Sequence, residues 1–445
     1  MPSTANRAPC TCPAGPSPTA NRSATVPPVG GIFSPQRPLL RLDNHAYSPA
    51  ARRLIAQAAG RLGSFADAAF ALALAGLPIS PQQVHTLAQE MGEELARQRD
   101  AKAARGRRRL PVRVAQTPAL VAVEVDGGRV RTRAAGAGPG VHGAENKEDK
   151  VACLVTLRGA VHAQDPQPEP PPSFLQPRRV ERLVRQMAGQ AGEAVPNPEQ
   201  TTTATEPEEA TGAPCPEPWA PQKQLRTCVA SMADSTAFGR LVAVEAQERD
   251  FYRAARRAFV ADGAAYNWTL QRTHFADFEP IVDFLHVLCY VYAAAWAVRP
   301  PSAPERWEQY VAWLRACWQG RVAEVLAELQ AWQGRVGLPP PGEDLPRTDA
   351  RRAVAEALSY LSHNASRMEY PRYRQAGLPI TSSLAESLVG EFNARVKSRQ
   401  HYWNRPAGAE AILQLRAAVL SEDDRLDRYL AARPGSPYRR RPKSA

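Results

Sequence analysis

The chain is poor in cysteine, poor in aromatic residues and without a long uninterrupted apolar run, and each shortage removes a class of protein. Seven cysteines in 445 residues are an odd number, and only Cys10 and Cys12 stand close together. A disulfide framework is thereby excluded, and scattered thiols of this kind fit a reducing cytoplasm. A zinc site takes four ligands in paired spacing, and Cys10-Thr11-Cys12 has no second pair near it. Aromatic residues make up 7% of the chain, which gives little support to the aromatic-lined cleft of a glycosidase built on paired carboxylates. The longest apolar stretch, Ile281 to Val298, is interrupted by Asp283 and His286, so a buried helix is expected there rather than a membrane span. The N-terminal stretch has no apolar h-region, so no secretory signal is expected. Neither a Ser-His-Asp pattern nor a Gly-rich phosphate loop occurs, which argues against hydrolases and nucleoside triphosphatases.

Proline and positive charge are in surplus. The 42 prolines are about twice ordinary usage and fall in a few stretches that read as tails and linkers. Lys and Arg number 56 against 44 Asp and Glu, a net charge of +12 with a pI near 9.6, so the surface favours a polyanion such as nucleic acid or an anionic membrane. With 44% apolar residues the chain can bury a sizeable core, and its length predicts two to four folded units.

Residues 1–43, rich in Pro, Ser, Thr and Ala, read as a disordered tail. From Ser48 the pattern turns helical. Ser48-Pro49 has the form of an N-cap followed by Pro at the first helical position, and Leu54, Ile55, Ala58, Ala59 and Leu62 make one apolar face. A short helix is expected over Ser64 to Leu74, ended by Gly76 and Pro78. A third begins at Ser80-Pro81, with Val84, Leu87, Ala88, Met91 and Leu95 on its apolar side and Gln82, Gln83, His85, Thr86 and Gln89 on the other. Three short helices with a tight turn before a polar-faced one suit a helix-turn-helix that reads base edges; an ordinary helical bundle has the same pattern. The basic run after it, including Arg107, Arg108 and Arg109, is a charged helix end that would also grip phosphates.

Strand texture comes next. Leu120 to Val125, then strand, Gly-Gly turn and strand in VEVDGGRVRTR, then Lys150 to Gly159, predict three consecutive antiparallel strands. Ala194 to Lys223 has the composition of a disordered insert, with order returning at Leu225. Ser235 to Arg249 is helical, Arg256 to Ala264 a buried strand ending in Asp-Gly, and FEPIVDFLHVL a strand that becomes a helix, the alternation of an α/β unit. Pro304 to Ser366 is helical with Trp307, Trp313, Trp318 and Trp332 as core residues. Helices over Ser383 to Arg399 and Gly408 to Leu430 and the basic tail SPYRRRPKSA close the chain.

Three carboxylates stand out. Asp126 meets a Gly-Gly turn after an apolar strand, Asp262 ends another apolar strand, and Glu386 lies on a helix downstream. Carboxylates at the ends of adjacent strands plus one from a helix laid over the sheet can converge on paired Mg²⁺ ions, which select hard oxygen ligands. Each has a plainer reading: Asp126-Gly127 and Asp262-Gly263 are common turn dipeptides, and Ser383-Leu-Ala-Glu386 matches a capping box. On the Glu386 helix, Leu384, Leu388, Val389, Phe392 and Val396 form the buried stripe, with Arg395, Lys397 and Arg399 beyond them in a position to lie along DNA. Tyr402 and Trp403 fit either a base stack or the core.

The blocks VEVDGGRVRTR with ENKEDKVACLVTL, RTCVASMADSTAFGRL, FVADGAAYNW, FEPIVDFLHV and SSLAESLVGEFNARVKSRQHYWNRPAGAEAILQLR resemble, in order, those of bacterial insertion-sequence DDE transposases related to the Mutator-like superfamily, over Ser48 to Leu430. The resemblance implies an α/β, RNase H-like catalytic core interrupted by an all-helical insertion and preceded by an all-α helix-turn-helix module. Its metal triad would fall on Asp126, Asp262 and Glu386, holding two Mg²⁺ ions for which Mn²⁺ can substitute. Asp283 and His286 match a motif that supports the active site. Relatives often begin with a cysteine-rich, zinc-ribbon-like segment, of which only CTCP stands here. The expected layout is a tail over 1–43, the helix-turn-helix over 44–110, the first part of the core over 115–303 with its insert at 194–223, the helical insertion over 304–379, C-terminal core helices over 380–430 and a basic tail over 431–445. The implied function is metal-dependent strand cleavage and strand transfer on double-stranded DNA, both element ends and target, by a homodimer or larger assembly in the bacterial cytoplasm, associated with the nucleoid. The alternative is a catalytically inactive helix-turn-helix DNA-binding protein, a regulator or a decayed transposase.

Overall fold

The computed structural model describes residues 24–26, 31–33, 47–105, 117–133, 144–190, 219–300, 304–382, 391–392, 403 and 405–433. Among these residues the protein is mixed α/β, with a five-stranded mixed sheet and thirteen α-helices. The chain opens with a short antiparallel ladder, β1 (Ala24–Val26) against β2 (Gly31–Phe33), inside the stretch expected to be a featureless tail. Helices α1 (Pro49–Arg61), α2 (Phe65–Leu74) and α3 (Pro81–Arg105) come after it. The sheet strands are β3 (Leu120–Arg133), β4 (Ala144–Arg158), β5 (Gln222–Ser231), β6 (Arg256–Ala261) and β7 (Glu279–Val282). Helix α4 (Pro177–Gln190) lies between β4 and β5 in the chain, α5 (Ser235–Glu248) between β5 and β6, and α6 (Ala265–His274) between β6 and β7. After β7 come α7 (Phe284–Val298), α8 (Glu305–Trp318), α9 (Val322–Val336), α10 (Ala350–Asn364), α11 (Tyr370–Gln375), α12 (Pro406–Leu420) and α13 (Arg425–Ala432). No helix among the described residues is long and apolar enough to cross a membrane.

Two compact units divide the chain, one of Met1–Ala104, Val130–Lys147 and Glu391–Ala445, the other of Arg105–Arg129 and Glu148–Gly390. In the first, the helices at Ser48 and Ser80 start where their cap signatures predict, and the one between them starts just after Ser64, where the expected helix begins. The Ser48 hydroxyl accepts from the Ala51 amide (3.2 Å), that of Ser64 from Asp67 (3.0 Å) and that of Ser80 from Gln83 (3.2 Å), each satisfying an amide that the first helical turn leaves open. Ile55, Ala56 and Ala59 of α1 and Val84, Leu87, Ala88 and Met91 of α3 are fully buried, as is most of α12. A Cβ on Gly92 would lie 2.0 Å from the Ala411 carbonyl oxygen, so only glycine lets α3 come this close to α12. Glu94 on α3 accepts from the Tyr429 hydroxyl (2.7 Å) and from both sides of the Arg433 guanidinium (2.6 and 2.7 Å). The helices expected as a separate module over 44–110 therefore share one core with C-terminal helices expected to belong to the catalytic fold.

The second unit holds the sheet in the order β5-β4-β3-β6-β7. Strands β4 and β5 run antiparallel, while β6 runs parallel to both β3 and β7. Leu120 to Val125 and Ala258 to Ala261 are buried without alternation, the pattern of strands covered on both faces. The Gly127-Gly128 pair is not the expected turn, and β3 runs straight through it. Val130 and Thr132 are buried while Arg129 and Arg131 are exposed, so a strand's two-residue burial alternation overrides the local turn propensity. The third sheet partner is Gln222–Ser231, a strand that its polar start QKQL conceals. The chain is already ordered six residues before Leu225, at Trp219, whose indole donates to Gln167 Oε1. Arg249 closes the β4–β5 pair with hydrogen bonds to the Leu154 carbonyl (2.5 Å), the Thr227 hydroxyl (2.9 Å) and the Thr156 hydroxyl (2.5 Å).

Helix α7 is the buried helix predicted from its apolar run, packed on α8 and α10. Trp313 and Trp318 are core residues as expected, whereas Trp307 and Trp332 are only half-buried. The proline-rich stretch over 163–177 is an ordered strap: the Trp318 indole donates to the Gln167 carbonyl (2.8 Å) and the Tyr310 hydroxyl to that of Phe174 (3.1 Å). Beneath it Arg374, fully buried, forms a two-pronged pair with Asp165 (Nε–Oδ1 2.8 Å, second nitrogen to Oδ2 2.5 Å) and lies 4.2 Å from the Trp318 ring centre. Burial alone would push the Asp165 carboxyl up; the Arg374 guanidinium and the Gln167 amide reverse this and hold it below the usual carboxylate range. Breaking a buried pair from one side strands the other charge. Asp165→Ala is expected to lower the unfolding free energy by ~3 kcal/mol in urea denaturation at pH 7. The gap between wild type and variant should narrow in acid, because a depressed carboxyl contributes stability above its unfolded pKa and loses it as pH falls through the folded one.

Candidate active site

The register of the parallel strands assembles the acidic residues. Val125 pairs with Ala261 and Ala261 with Val282, the last aligned positions of β3, β6 and β7. The next residue on each strand is Asp126, Asp262 and Asp283. Three carboxylates thus leave neighbouring strands, about 4.8 Å apart, at one level, just past the C-terminal ends of β6 and β7 and partway along β3; open parallel sheets present their ligand crevice at the C-terminal ends of their strands.

Each acid is held differently. Asp126 is half-buried and its Oδ1 accepts from the Gly127 amide (2.7 Å). Asp262, also half-buried, accepts at Oδ1 from the Ala264 amide (2.9 Å) and from Asn267 Nδ2 (2.8 Å). Asp283 is fully buried and caps α7: its Oδ1 accepts from the Leu285 amide (2.9 Å), and its Oδ2 from the Ser382 hydroxyl (2.5 Å), with His286 Nδ1 at 3.2 Å. The Asp283-x-x-His286 pair read from the sequence is therefore a direct contact across the first turn of α7.

Electrostatics single out two groups. Burial pushes the Asp126 carboxyl up to about 6; the negative charges of Asp262 and Asp283 add to this, and the His286 charge and the Gly127 amide oppose it. Burial alone would lower the His286 imidazole, but its hydrogen bond to Asp283 and the charges of Asp283, Asp262 and Asp126 raise it to about 9. His286 is therefore an imidazolium at neutral pH, the cation that partly balances the acidic edge. The Tyr266 phenol is pushed up by burial and by Asp262, Glu148 and Asp126.

Sequence reasoning missed several residues here. Asn267, on the first turn of α6, grips Asp262; a polar residue five positions after a strand-ending Asp is its only signal. Ser382, directly before the SLAES block, holds Asp283. Glu148 and Lys150 on β4 form a 2.8 Å pair, and Glu148 Oε1 and the Tyr266 hydroxyl lie 3.6 and 3.4 Å from where a Cβ on Gly127 would sit.

The donor set of Asp126 and Asp262 fits a hard divalent cation: two carboxylates stand at one level of adjacent strands, one with its pKa raised by burial and further by the neighbouring negative charges. Among the described residues no group of three His, Cys, Asp or Glu stands ready to hold a metal. Glu386, the third expected ligand, lies outside the described residues, as do Arg107, Arg108, Arg109, Arg395, Lys397, Arg399 and Tyr402. Trp403 adds a parallel bridge to the end of β3, its amide donating to the Arg131 carbonyl (3.1 Å) and its carbonyl accepting from Arg133 (3.0 Å).

In the other unit, the polar face of α3 is partly engaged. Gln82 is exposed, while Gln83, His85, Thr86 and Gln89 are half-buried. The His85 ring packs edge-on against Phe65 with centres 4.9 Å apart, the Thr86 hydroxyl donates to the Gln82 carbonyl (3.0 Å), and Gln89 donates to Glu93 (2.9 Å). No family model matches the chain, and no curated protein matches it.

The two raised groups act on stability in the same direction over separate pH ranges. Each binds its proton more tightly in the folded protein, so its contribution is complete below the unfolded pKa and disappears as pH rises through the folded one. Asp126→Asn is expected to stabilise the fold at pH 7.5 by on the order of 1 kcal/mol, a rise from 3.8 to about 6 being worth at most ~3 kcal/mol before partial solvent contact reduces it. Wild type is expected to lose roughly 2–3 kcal/mol between pH 6.5 and 9 as His286 deprotonates, and His286→Gln to flatten that part of the profile. Thermal unfolding across pH 5 to 10 checks both.

Proposed function

We propose that this protein is a DNA transposase of the DDE type, which cuts DNA strands and joins them to a target in a cation-dependent reaction. The observation that carries this reading is the placement of Asp126 and Asp262 side by side on adjacent parallel strands, each directly after the last aligned pair, Val125 with Ala261. The strand order β5-β4-β3-β6-β7, with the first three sequential strands on one side and two parallel strands on the other, supports an RNase H-like core. So does the long helical segment between Asp262 and the expected position of Glu386.

In this reading Asp126 and Asp262 hold Mg²⁺, with Glu386 as the third ligand. A cation bound there supplies Lewis-acid polarisation of the attacking oxygen and charge neutralisation at the leaving one. The chemistry is two in-line displacements at phosphorus. Water attacks first and releases a strand with a free 3′-hydroxyl; that hydroxyl then attacks a target phosphodiester, forming one P–O bond as another breaks. The protein's own residues orient and balance charge. Asn267 and the Ala264 amide fix the Asp262 carboxylate, Asp283 holds the His286 imidazolium beside the acidic edge, and no side-chain nucleophile is required. The net charge of +12 and the polar edge of α3 are consistent with duplex DNA as partner, and a synaptic assembly of two ends calls for at least a dimer.

The decisive experiment is Mg²⁺-dependent strand cleavage on DNA carrying the sequences that flank the reading frame. Wild type is expected to cut, while Asp126→Ala and Glu386→Ala fall below detection and keep their affinity for the DNA. Binding by all three proteins with cleavage by none would identify a DNA-binding protein without catalysis.

A further inference from the structure

The helical segment after β7 reaches back to the acidic edge through tyrosine hydroxyls. Tyr360 on α10 donates to the backbone carbonyl of Asp262 itself (2.9 Å), from 98 residues away. Its ring covers Gly263, whose φ of +94° and missing Cβ make room for it: a Cβ there would lie 2.7 Å from Tyr360 Cε2. The ring also stacks on Tyr290 with centres 3.9 Å apart.

One turn on, Asn364 donates to the Tyr360 carbonyl (2.9 Å) and accepts from the Trp268 indole (3.0 Å). Trp268 is the neighbour of Asn267, whose side chain grips Asp262 Oδ1 (2.8 Å). Asp262, Tyr360, Asn364, Trp268 and Asn267 thus close a ring of contacts around one carboxylate. On the next strand Tyr370 repeats the device, its hydroxyl donating to the Val282 carbonyl (2.9 Å) directly before Asp283.

The Ala264 amide and the Asn267 side chain, which hold the Asp262 carboxylate, belong to the turn that Asp262 itself begins. They fix the carboxylate relative to that turn; the aligned register with β3 stops at Val125 and Ala261, so the turn beginning at Asp262 lies past it and is held relative to β3 and Asp126 by an anchor from outside the turn. We propose that Tyr360 is that anchor, a positioning residue whose hydroxyl sets the Asp262 backbone and so aims its carboxylate at the place shared with Asp126. This inference rests on the reading of Asp262 as a cation ligand. Groups that orient a ligand typically change metal affinity 10- to 100-fold when removed.

The test uses the full chain as wild type, Tyr360→Phe, Tyr360→Leu and Asp262→Asn. Tyr360→Phe keeps the stack on Tyr290 and the cover over Gly263 and removes only the hydroxyl. Three quantities are measured: melting temperature, amide hydrogen exchange of the 262–267 turn without metal, and Mn²⁺ affinity by electron paramagnetic resonance. Tyr360→Phe is expected to melt within a degree or two of wild type, about what the loss of one neutral hydrogen bond allows in a unit of this size. It should also exchange faster in the 262–267 turn alone and bind Mn²⁺ about 10-fold more weakly, with Tyr360→Leu weaker still. Unchanged exchange and unchanged Mn²⁺ affinity in Tyr360→Phe would overturn the proposal, as would faster exchange spread evenly over the unit, the mark of a merely structural role. If wild type binds Mn²⁺ no better than Asp262→Asn, the cation reading of Asp262 fails by itself; faster exchange confined to the turn then still establishes Tyr360 as its anchor, and unchanged exchange removes both.

Discussion

The shared level of three parallel strands is the constraint on which the rest of the sheet-bearing unit depends. Because β3, β6 and β7 share register up to Val125, Ala261 and Val282, the next residues of the three strands are forced into close company, and all three are aspartates. Backbone hydrogen bonding sets the level of the three strands, and the contacts past the aligned register set each acid. The Asp126 carboxyl, pushed up first by burial and further by its acidic neighbours, and the His286 imidazole, raised by the same acids, reflect this crowding. Stability and this arrangement pull in opposite directions, as they commonly do where a fold gathers like charge.

The means of anchoring differ with distance from that edge. Away from it the unit uses guanidinium groups, Arg249 across β4 and β5 and Arg374 on Asp165 under the strap. At the edge itself, neutral donors do much of the holding: the Ser382 hydroxyl on Asp283, Asn267 on Asp262, and the tyrosine hydroxyls on the carbonyls of Asp262 and Val282. Neutral donors orient a carboxylate while leaving most of its negative charge in place, which is what a cation needs from its ligands. An arginine at the same position would cancel most of that charge.

Much of this fold was legible in the sequence because its signals are local. The serine caps at Ser48, Ser64 and Ser80, the strand Arg256–Ala261 and the switch from strand to helix at Asp283 each depend on a few neighbouring residues, and each lies where the local pattern puts it. Asp262 was legible as a strand-end acid and Asp283 with His286 as an i, i+3 pair, whereas Asp126, expected where a strand meets a turn, lies inside β3. The features that escaped are set by distant partners. The Gly127-Gly128 pair continues a strand because burial of Val130 and Thr132 outweighs a turn dipeptide; Gln222–Ser231 is a strand because β4 pairs with it, despite its polar opening. The proline-rich strap over 163–177 has the composition of a linker and is ordered by Trp318, Tyr310 and Arg374. Tyr360 and Ser382 carry no local mark at all, since only the tertiary fold brings them to the acids.

The close approach of Gly92 to the Ala411 carbonyl has a consequence for how the polypeptide is made. The core that surrounds α3 is completed by α12 and α13, more than 300 positions later in the chain. During synthesis from the N-terminus, the first three helices emerge from the ribosome long before the partners that bury their apolar faces. They must wait, exposed, while the whole sheet-bearing unit is translated between them. A polypeptide truncated before α12 would thus keep the five strands of the sheet while its first helices lack the partner that buries their apolar faces.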